Sequence, residues 1–575
     1  MDRITKSLVD DFIINQGIIA ESDSIDFEKF ANYSILSVEY QKSFDIDFVT
    51  VGEGNDTGLD GIAIIVNGVL IETTDEIDDL LDKNGYLEVE YIFVQSKTSS
   101  NFDSGEIGKF LYGVKDFFSE NPTLVRNDDI ENYAELSDYL MSKAPNFRNN
   151  PSLKLFYVTT GKWLDDQNLN SVFNNGKVEL ENLNLFDNVY INPFGTTEIV
   201  RTYRKSKEAI STTFEFNSRI TLPSIEGITQ SYIGMIPYNE FKKIIVDEND
   251  RIQNVFEDNV RDFQGDTNDV NKGIVQTITG SSADLFGVLN NGVTIVTTSL
   301  NNTGDTFTIK DYQIVNGCQT SNVIYNNRDS ENIDNIYIPI KIIATENEDV
   351  KNQITFATNS QTQIKKEQLA SVTQFQRHLE QYYNSFEGEK KLYYERRSKQ
   401  YNRDASIVKT KIITIPYQIK AFSSMFLENP HLVTSYFGSI VKKLNNQESI
   451  IFNEDHSYAP YYLSGLAFYK LESFFRRRMI DSKYKKVRFH LILMFRKLIT
   501  NNEQVPVFNS TRKMERYCNP IIEKLIDDTL ALEVFNEAVE ILENSTFDLE
   551  DKQHVKLKSK TDELLRLTNE RINAT

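Results

Sequence analysis

The sequence is poor in cysteine and histidine and lacks long apolar runs, and each shortage excludes a class of protein. Only two of its 575 residues are cysteine, Cys318 and Cys518, too few for a disulfide framework and typical of a reducing compartment. The five histidines are scattered and show no zinc-ligand spacing. No run of about 18 apolar residues predicts a membrane span, and the N-terminus lacks the apolar segment of a signal peptide. We therefore expect a cytoplasmic protein that does not associate with a membrane.

A phosphate-binding GxxxxGK[ST] loop is also missing, which disfavours a nucleotide-dependent enzyme. What is present is ordinary for a soluble globular protein, with 40% apolar and 25% charged residues. A chain of 575 residues is too long for one hydrophobic core, so several domains are expected.

The charge is unevenly distributed along the chain. The net charge is −22 overall, which by itself disfavours nucleic acid as a partner. Residues 1–150 hold 11 Lys+Arg and 30 Asp+Glu, whereas residues 351–500 hold 25 Lys+Arg and 12 Asp+Glu. The basic region is suited to following a phosphate backbone, and helix faces that differ in solvated charge are the alternative.

Apolar periodicity and turn residues predict a multidomain α/β (α+β) protein. Strands that alternate with helices predict a first domain over residues 1–195, with a strand at SFDIDFVTV and a hairpin around Asn67-Gly68. Residues 196–225 are interpreted as a connection. A central α/β domain is predicted for 226–375, and a largely helical, partly basic region for 376–575.

Three side chains near one strand end suggest a reaction site. In YIFVQSK, the period of two places Gln95 and Lys97 on one face, at the polar end of an apolar strand. Asp60 lies at the end of the loop GNDTGLDG, just before the hairpin. Because the hairpin returns the chain beside itself, Asp60 can lie near the end of the strand that carries Gln95 and Lys97. Glu28 lies on the preceding helix. An acid, a second oxygen ligand and a lysine suit Mg²⁺-assisted phosphodiester hydrolysis. Taken singly, each side chain is more often a turn residue or part of a solvated surface than a catalytic group.

GLDG followed 35 residues later by Gln-x-Lys resembles the PD-(D/E)XK nuclease core in its Mrr-like variant. The resemblance covers about residues 20–165 and implies catalytic roles for Glu28, Asp60, Gln95 and Lys97. Mg²⁺ or Mn²⁺ would be held by Asp60, Gln95 and Glu28, and Lys97 would position the attacking water. Glu39 is the competing choice for the helical acid. Gln95 replaces the second acid of the motif, so an inactive copy of the core is the alternative.

Further along, LNNGVTIVT, YQIVNGCQTSNVIY, FATNSQTQIKKEQLAS and YYERRSKQY resemble the AIPR family, named for abortive infection and phage resistance. The resemblance implies a bacterial defence protein that acts on nucleic acid. The turn in IVNGCQTS, with Asn316, Gln319 and Thr320, predicts a phosphate-binding loop at a helix start, or else a capped turn buried between domains.

Cations in the basic region predict contact with nucleic acid, most simply DNA, although basic runs on helices are often only solvated. The candidates are Lys365, Lys366, Arg396, Arg397, Lys399, Arg476, Arg477, Arg478, Lys485 and Lys486.

The sequence thus predicts an antiphage, metal-dependent endonuclease that hydrolyses phosphodiester bonds of DNA. The alternative is a non-catalytic module that binds nucleic acid or senses phage and retains a degenerate nuclease core. A homodimer is expected because two-fold dimers predominate, and a phage-derived trigger is included among the expected partners.

Overall fold

The computed structural model shows the predicted fold class, with two larger sheets flanked by helices and a helical C-terminal region. It describes residues 1–40, 42–52, 57–208, 210–247, 250, 252–253, 255–256, 269–280, 282–358, 363–396, 400–402, 404, 406–435, 439–440 and 451–574. The chain forms two compact units. The first comprises Met1–Asp82, Tyr86–Ser206 and Ser371–Thr575, and the second comprises Lys83–Gly85 and Lys207–Ala370. Among the described residues, no helix is both long enough and apolar enough to cross a membrane.

The N-terminal part of the first unit is built on a five-stranded sheet with the order β2-β1-β3-β4-β5. Strand β1 is antiparallel to β2 and β3, whereas β3, β4 and β5 run parallel. The elements are α1 (Arg3–Gln16), α2 (Asp23–Glu39), α3 (Ile46–Val49), β1 (Gly61–Val66), β2 (Val69–Leu70), α4 (Thr74–Asn84), β3 (Val89–Lys97), α5 (Ser104–Phe117), α6 (Asp128–Ser142), β4 (Ser152–Thr159), α7 (Gln167–Glu181), β5 (Asn188–Phe194) and α8 (Thr196–Lys207).

Strand β3 is covered on both faces, which explains its nearly continuous apolar sequence. Tyr91 and Phe93 belong to the core that includes α5 and α6, and Ile92 and Val94 belong to the core that includes α1 and α2. The period-two assignment of faces is therefore confirmed. It places Gln95 and Lys97 on the side of β3 that faces α5.

Two local predictions in this part have opposite outcomes. Asn67 and Gly68 have φ values of 49° and 72°, and they join β1 to β2 in the predicted hairpin. The strand predicted at SFDIDFVTV is wrong, because Ile46–Val49 is a short helix. The Asp45 side chain accepts a hydrogen bond from the backbone N–H of Asp47 and so caps that helix.

The second unit contains a six-stranded sheet with the order β6-β10-β9-β11-β8-β7. Strands β9 and β11 are parallel, and the other neighbours are antiparallel. Residues 196–225, interpreted from the sequence as a connection, contain α8, β6 and β7. The elements of this unit include β6 (Ser211–Glu215), β7 (Ser218–Thr221), β8 (Gln230–Pro237), α9 (Tyr238–Ile245), α10 (Asp269–Thr279), α11 (Phe286–Leu289), β9 (Val293–Thr303), β10 (Thr306–Asn316), α12 (Cys318–Asn326), β11 (Tyr337–Ala344) and α13 (Glu348–Thr358).

The C-terminal region is largely helical, as predicted, and its helices enclose an extensive apolar core. Its elements are α14 (Gln363–Asn384), β12 (Tyr393–Glu395), β13 (Ile412–Thr414), α15 (Ile415–Met425), α16 (Ala459–Arg476), α17 (Arg488–Ile499), α18 (Thr511–Ile526), α19 (Asp528–Glu543), α20 (Lys552–Lys556) and α21 (Lys558–Ala574).

Within the first unit, the acidic N-terminal part and the basic C-terminal region form ion pairs with each other. Opposite charges brought together in this way give the uneven charge distribution a structural role inside the chain. The pairs include Lys420–Glu76 at 3.4 Å, Arg488–Glu72 at 3.5 Å, Lys556–Asp75 at 2.5 Å and Arg478–Glu21 at 3.0 Å.

Candidate active site

Asp60 and Gln95, 35 residues apart in the chain, are in direct contact at the end of β3. The backbone N–H of Asp60 donates to the Val94 carbonyl over 2.9 Å, which fixes the residue beside the strand. Its Oδ2 atom accepts hydrogen bonds from Gln95 Nε2 at 2.8 Å, from the Ser96 N–H at 2.6 Å and from Ser96 Oγ at 3.0 Å. Three donors on one oxygen stabilise a negative charge at a buried position.

Gln95 has one satisfied and one unsatisfied end. Its side chain is 1% exposed, and its Nε2 donates to Asp60. Its Oε1 has no hydrogen-bond partner among the described residues. A buried amide oxygen left in this state is energetically unfavourable. The arrangement therefore leaves an oxygen ligand available beside a carboxylate.

Lys97 ends β3 on the same face and is more accessible. Its side chain is 36% exposed, and its Nζ lies 3.7 Å from Glu106 Oε2 on α5. Lys109 lies 2.5 Å from the other oxygen of Glu106 and, together with Lys97, lowers the pKa of that carboxyl. Lys97 is therefore held near the site by a carboxylate that stays ionised.

Helix α2 reaches the same corner through Glu28 and Asn32, which lie one turn apart. Asn32 Nδ2 donates to the Asp60 carbonyl over 2.9 Å and to Thr50 Oγ1 over 3.2 Å. Glu28 is buried, and its carboxylate packs so closely on Gly52 that a Cβ there would lie 2.3 Å from Oε1. Glu28 therefore lies against the segment that leads to β1.

Glu39, the competing helical acid, lies at the other end of α2. Its carboxylate is 2.9 Å from Lys154 Nζ on β4, and Glu90 is 2.5 Å from the same ammonium. Glu90 is near the start of β3, whereas Gln95 and Lys97 are at its end. This ion-pair group gives Glu39 a structural partner at the opposite end of the strand.

Sequence reasoning missed three residues around the site: Asn32, Ser96 and Glu106. In a strand with a period of two, Ser96 points to the opposite face of β3 from Gln95. The sequence therefore did not predict that both residues contact Asp60. Its N–H and hydroxyl nevertheless both reach Asp60. Asn32 follows Glu28 by four residues, and that spacing was the available signal for a shared helix face.

Two oxygen donors at this corner are of the kind that binds a hard divalent cation. The Asp60 carboxylate and Gln95 Oε1 are the oxygen ligands that Mg²⁺ prefers. Within the described part of the chain, no three His, Cys, Asp or Glu side chains cluster in a way that could hold a metal. A metal at this corner would therefore rely on the neutral amide oxygen that replaces the second acid.

Several predicted nucleic-acid-binding cations already have acidic neighbours. Arg477 lies 2.6 Å from Asp528, Lys486 lies 3.8 Å from Glu550, and Arg396 pairs with Glu380. Arg478 pairs with Glu21, as described above. Arg476 and Lys485 are half-buried.

Four other predicted cations lie outside what the structure describes. Lys365 and Lys366 fall within α14, but their side chains are not among the described ones, and Arg397 and Lys399 are outside the described residues.

The turn in IVNGCQTS has the predicted order of strand, turn and helix. Strand β10 ends at Asn316, Gly317 has a φ of 94°, and α12 begins at Cys318. Asn316 Nδ2 donates to the Thr358 carbonyl over 2.9 Å, and a Cβ on Gly317 would lie 2.7 Å from Val293 Cγ2. Three of the four phrases that resemble the AIPR family thus meet at this turn.

The remaining residues of the turn occupy the first turn of α12. Gln319 and Thr320 are half-buried there. Burial raises the pKa of Cys318 to about 11, and a hydrogen bond from Asn322 partly offsets this effect. The thiol is therefore protonated at neutral pH, which disfavours it as a nucleophile.

Comparison with known proteins identifies one family. The family model described as "AIPR protein" matches residues 256–557, just over half of the 575-residue chain. The match covers the turn at Gly317 and most of the helical region, and it begins after the sheet that carries Asp60. No curated protein and no solved structure matches the chain.

Proposed function

Since the chain belongs to the AIPR family, we propose that it is an antiphage defence protein whose N-terminal part is a metal-dependent DNA endonuclease. Family membership indicates abortive-infection defence. The observation that supports the nuclease is the contact between Asp60 and Gln95, with an unsatisfied amide oxygen next to a buried carboxylate. Lys97 follows on the same face.

In this proposal, Asp60 and Gln95 hold Mg²⁺ or Mn²⁺, with Glu28 completing the set directly or through water. A bound divalent ion would polarise a phosphoryl oxygen and acidify water. Ser96 and Asn32 position Asp60, the first through its carboxylate and the second through its backbone carbonyl. A ligand set fixed in advance by such contacts lowers the cost of organising the site.

Lys97 supplies positive charge beside the scissile phosphate. An ammonium there orients the attacking water and stabilises the charge that develops on the phosphoryl oxygens. Its contact with Glu106 restricts the side chain in the absence of substrate. Because 3.7 Å is longer than a hydrogen bond, a phosphate can compete for this ammonium.

The substrate would lie along cations of the C-terminal region, among them Lys485 and Arg476, both of which also lie near the buried carboxyl of Glu472. Arg396, Arg477, Arg478 and Lys486 are already near carboxylates, so phosphates would have to displace those partners. The turn of Asn316, Gln319 and Thr320 is a second candidate for phosphate contact. A homodimer would place two such sites on the two strands of a duplex.

A non-catalytic module is the second candidate function, and one observation favours it. Gln95 Nε2 already donates to Asp60, so the neutral amide completes a hydrogen-bonded group without a metal. The protein would then bind nucleic acid or a phage component while the nuclease-like part serves as a scaffold.

Metal-dependent thermal stability distinguishes the two candidates. The nuclease reading predicts that Mg²⁺ or Mn²⁺ raises the Tm of the wild type in a saturable way, because a ligand of the folded state stabilises it. Asp60→Asn should abolish the rise, and Asp103→Asn, which alters an exposed capping aspartate of α5, should retain it. A rise that Asp60→Asn leaves intact would contradict the proposed ligand set.

Cleavage assays then identify which nucleic acid is the substrate. Plasmid, linear duplex, single-stranded DNA and RNA should be tested with Mg²⁺ and with Mn²⁺. We expect the protein to prefer DNA. If it cuts only RNA, the substrate is RNA and not DNA, and the proposed active site is unchanged.

A further inference from the structure

A cavity of about 130 Å³ lies within the first unit, and neither Asp60, Gln95 nor Lys97 lines it. Helix α2 contributes Tyr33, and α16 contributes Glu472 and Arg476. The volume is close to that of a cavity of about 150 Å³ that holds one benzene molecule. The cavity can therefore take a group of four to six heavy atoms.

Glu472 is the unusual member of the wall. It is 5% exposed, and its Oε1 accepts no hydrogen bond from any described residue. Arg488 Nη1 lies 3.6 Å from that oxygen, beyond hydrogen-bonding distance, and the same guanidinium lies 3.5 Å from Glu72. Burial raises the pKa of Glu472. A buried carboxylate oxygen without a hydrogen bond is energetically unfavourable, and an N–H donor from a bound ligand would relieve that cost.

Aromatic rings form another part of the wall. Tyr417 and Phe468 are stacked with their centroids 4.8 Å apart and an interplanar angle of 24°, and Tyr469 also lines the cavity. Aromatic faces attract cations, and the attraction is stronger where water is excluded. Rings beside a carboxylate that lacks a donor therefore favour a positively charged guest.

The other charged groups of the wall include both acids and bases. Asp45 and Glu395 add two carboxylates. Three cations also line the cavity: Lys42, Lys409 and Arg476. Lys409 Nζ already donates to the carbonyls of Tyr401 at 2.5 Å and Asp404 at 2.7 Å.

We propose that this cavity binds a small organic cation, an alkylammonium or guanidinium group, with Glu472 Oε1 as its principal acceptor and the ring of Tyr417 beside it. The guest would donate an N–H to the carboxylate and place its charge against the aromatic face. The site is separate from the proposed nuclease centre and does not depend on nuclease activity.

Thermal stability of the full chain tests this assignment without a substrate. The probes are methylguanidine, ethylguanidine and putrescine, each of five or six heavy atoms, added up to about 10 mM, which covers dissociation constants in the millimolar range. Sodium chloride at matched ionic strength is the control. At least one probe should raise the Tm in a saturable way. Free cytosine and potassium ions test whether a neutral heteroaromatic group or an inorganic cation binds instead.

Two substitutions in the cavity wall test whether the organic cation binds there. Glu472→Gln keeps the shape and removes the charge, and it should weaken binding at least tenfold. Tyr417→Leu removes the aromatic face and should weaken binding several-fold. Glu428→Gln is the matched control, because Glu428 pairs with Arg496 and Lys497 and does not line the cavity.

Each contrary outcome overturns the proposal. Absence of a saturable shift in the wild type for all three organic cations would contradict the assignment of a site for a small organic cation. Equal binding by wild type and Glu472→Gln would place the guest elsewhere. Binding of cytosine or potassium ions in preference to the organic cations would assign the cavity to a different ligand class.

Discussion

Gln95 donates its side-chain amide to Asp60 over 2.8 Å and leaves its own amide oxygen buried and without a hydrogen bond. The Gln95–Asp60 hydrogen bond forms without a metal, which suits a binding module. The unsatisfied Gln95 Oε1 would gain a partner from a bound metal, which suits a nuclease. A substitution at position 95 therefore distinguishes the two functions.

Gln95→Glu should make folding more dependent on Mg²⁺. A second carboxylate beside Asp60 adds repulsion in the apo protein and a stronger ligand in the metal-bound protein. We expect a lower Tm than wild type without metal and a larger rise with it. Gln418→Glu is the matched control, because Gln418 is buried and hydrogen-bonded to Tyr383 and Tyr461 in the helical region. A metal response equal to that of wild type would count against a ligand role for position 95.

Ser96→Ala removes one of the three donors to Asp60 Oδ2. Hydrogen bonds to charged groups contribute about 1.5–3 kcal/mol to the free energy of unfolding. We expect a loss of that order in urea unfolding, together with weaker metal binding. Ser137→Ala removes a different buried serine hydroxyl, which lies 3.0 Å from Tyr91, and should lower stability without altering metal affinity. The same metal affinity in both variants would show that Ser96 does not position Asp60.

The buried pair of Lys420 and Glu76 should give strong coupling in a double-mutant cycle. The side chains are 8% and 7% exposed, so removal of one partner leaves the other charge buried without its ion-pair partner. Lys420→Met or Glu76→Gln alone should cost about 3–5 kcal/mol, and the double variant should cost much less than the sum. Urea unfolding measures all four forms. Additive costs would contradict the account of this contact.

Two buried histidines should each lower stability on acidification below pH 6.5. Burial lowers the pKa of His456 to about 4 and that of His490 to about 3, from an ordinary value of 6.5. Because the folded state favours neutral imidazole, the stabilisation is complete above 6.5 and declines as the pH falls towards 4. Urea unfolding across this range should show a shallower decline for His456→Gln. Identical slopes for variant and wild type would be the contrary result.

DNA binding should depend more on Lys485 than on Arg477. Arg477 already lies 2.6 Å from Asp528, which competes with phosphate for its charge. Lys485→Ala should weaken binding and reduce the slope of log K against log salt by about 0.9. Fluorescence anisotropy with labelled duplex at several salt concentrations checks this expectation. A larger effect of Arg477→Ala would contradict it.

Local patterns in the sequence predicted the framework of the site. The alternation in YIFVQSK identified the faces of β3, and Asn67-Gly68 identified the hairpin that begins the sheet. Asp60 and Gln95 were expected at one corner, and a hydrogen bond of 2.8 Å joins them. The first two inferences depend on neighbours within about one strand or turn, where backbone geometry is set by residue type. The third also used the resemblance to a nuclease core.

Contacts between distant segments were not predictable in the same way. Lys420 and Glu76 are 344 residues apart, and no local pattern in the sequence links them. The bulk charge distribution was interpreted either as a region suited to nucleic acid or as helix faces that differ in solvated charge, and the structure adds ion pairing inside the chain. No pattern in the sequence indicated that Glu472 is buried, because its burial arises from the packing of α16 within the first unit.

Cleavage of duplex DNA by wild type and by Asp60→Asn, in the same Mg²⁺ or Mn²⁺ buffer, tests the central claim most directly. Lys97→Ala should be added, with Lys115→Ala as its control, because Lys115 is an exposed lysine on α5 that pairs with Glu179. The account predicts cutting by wild type and Lys115→Ala, and loss of cutting in Asp60→Asn and Lys97→Ala. Cutting that survives both of these substitutions would contradict the assignment of the site.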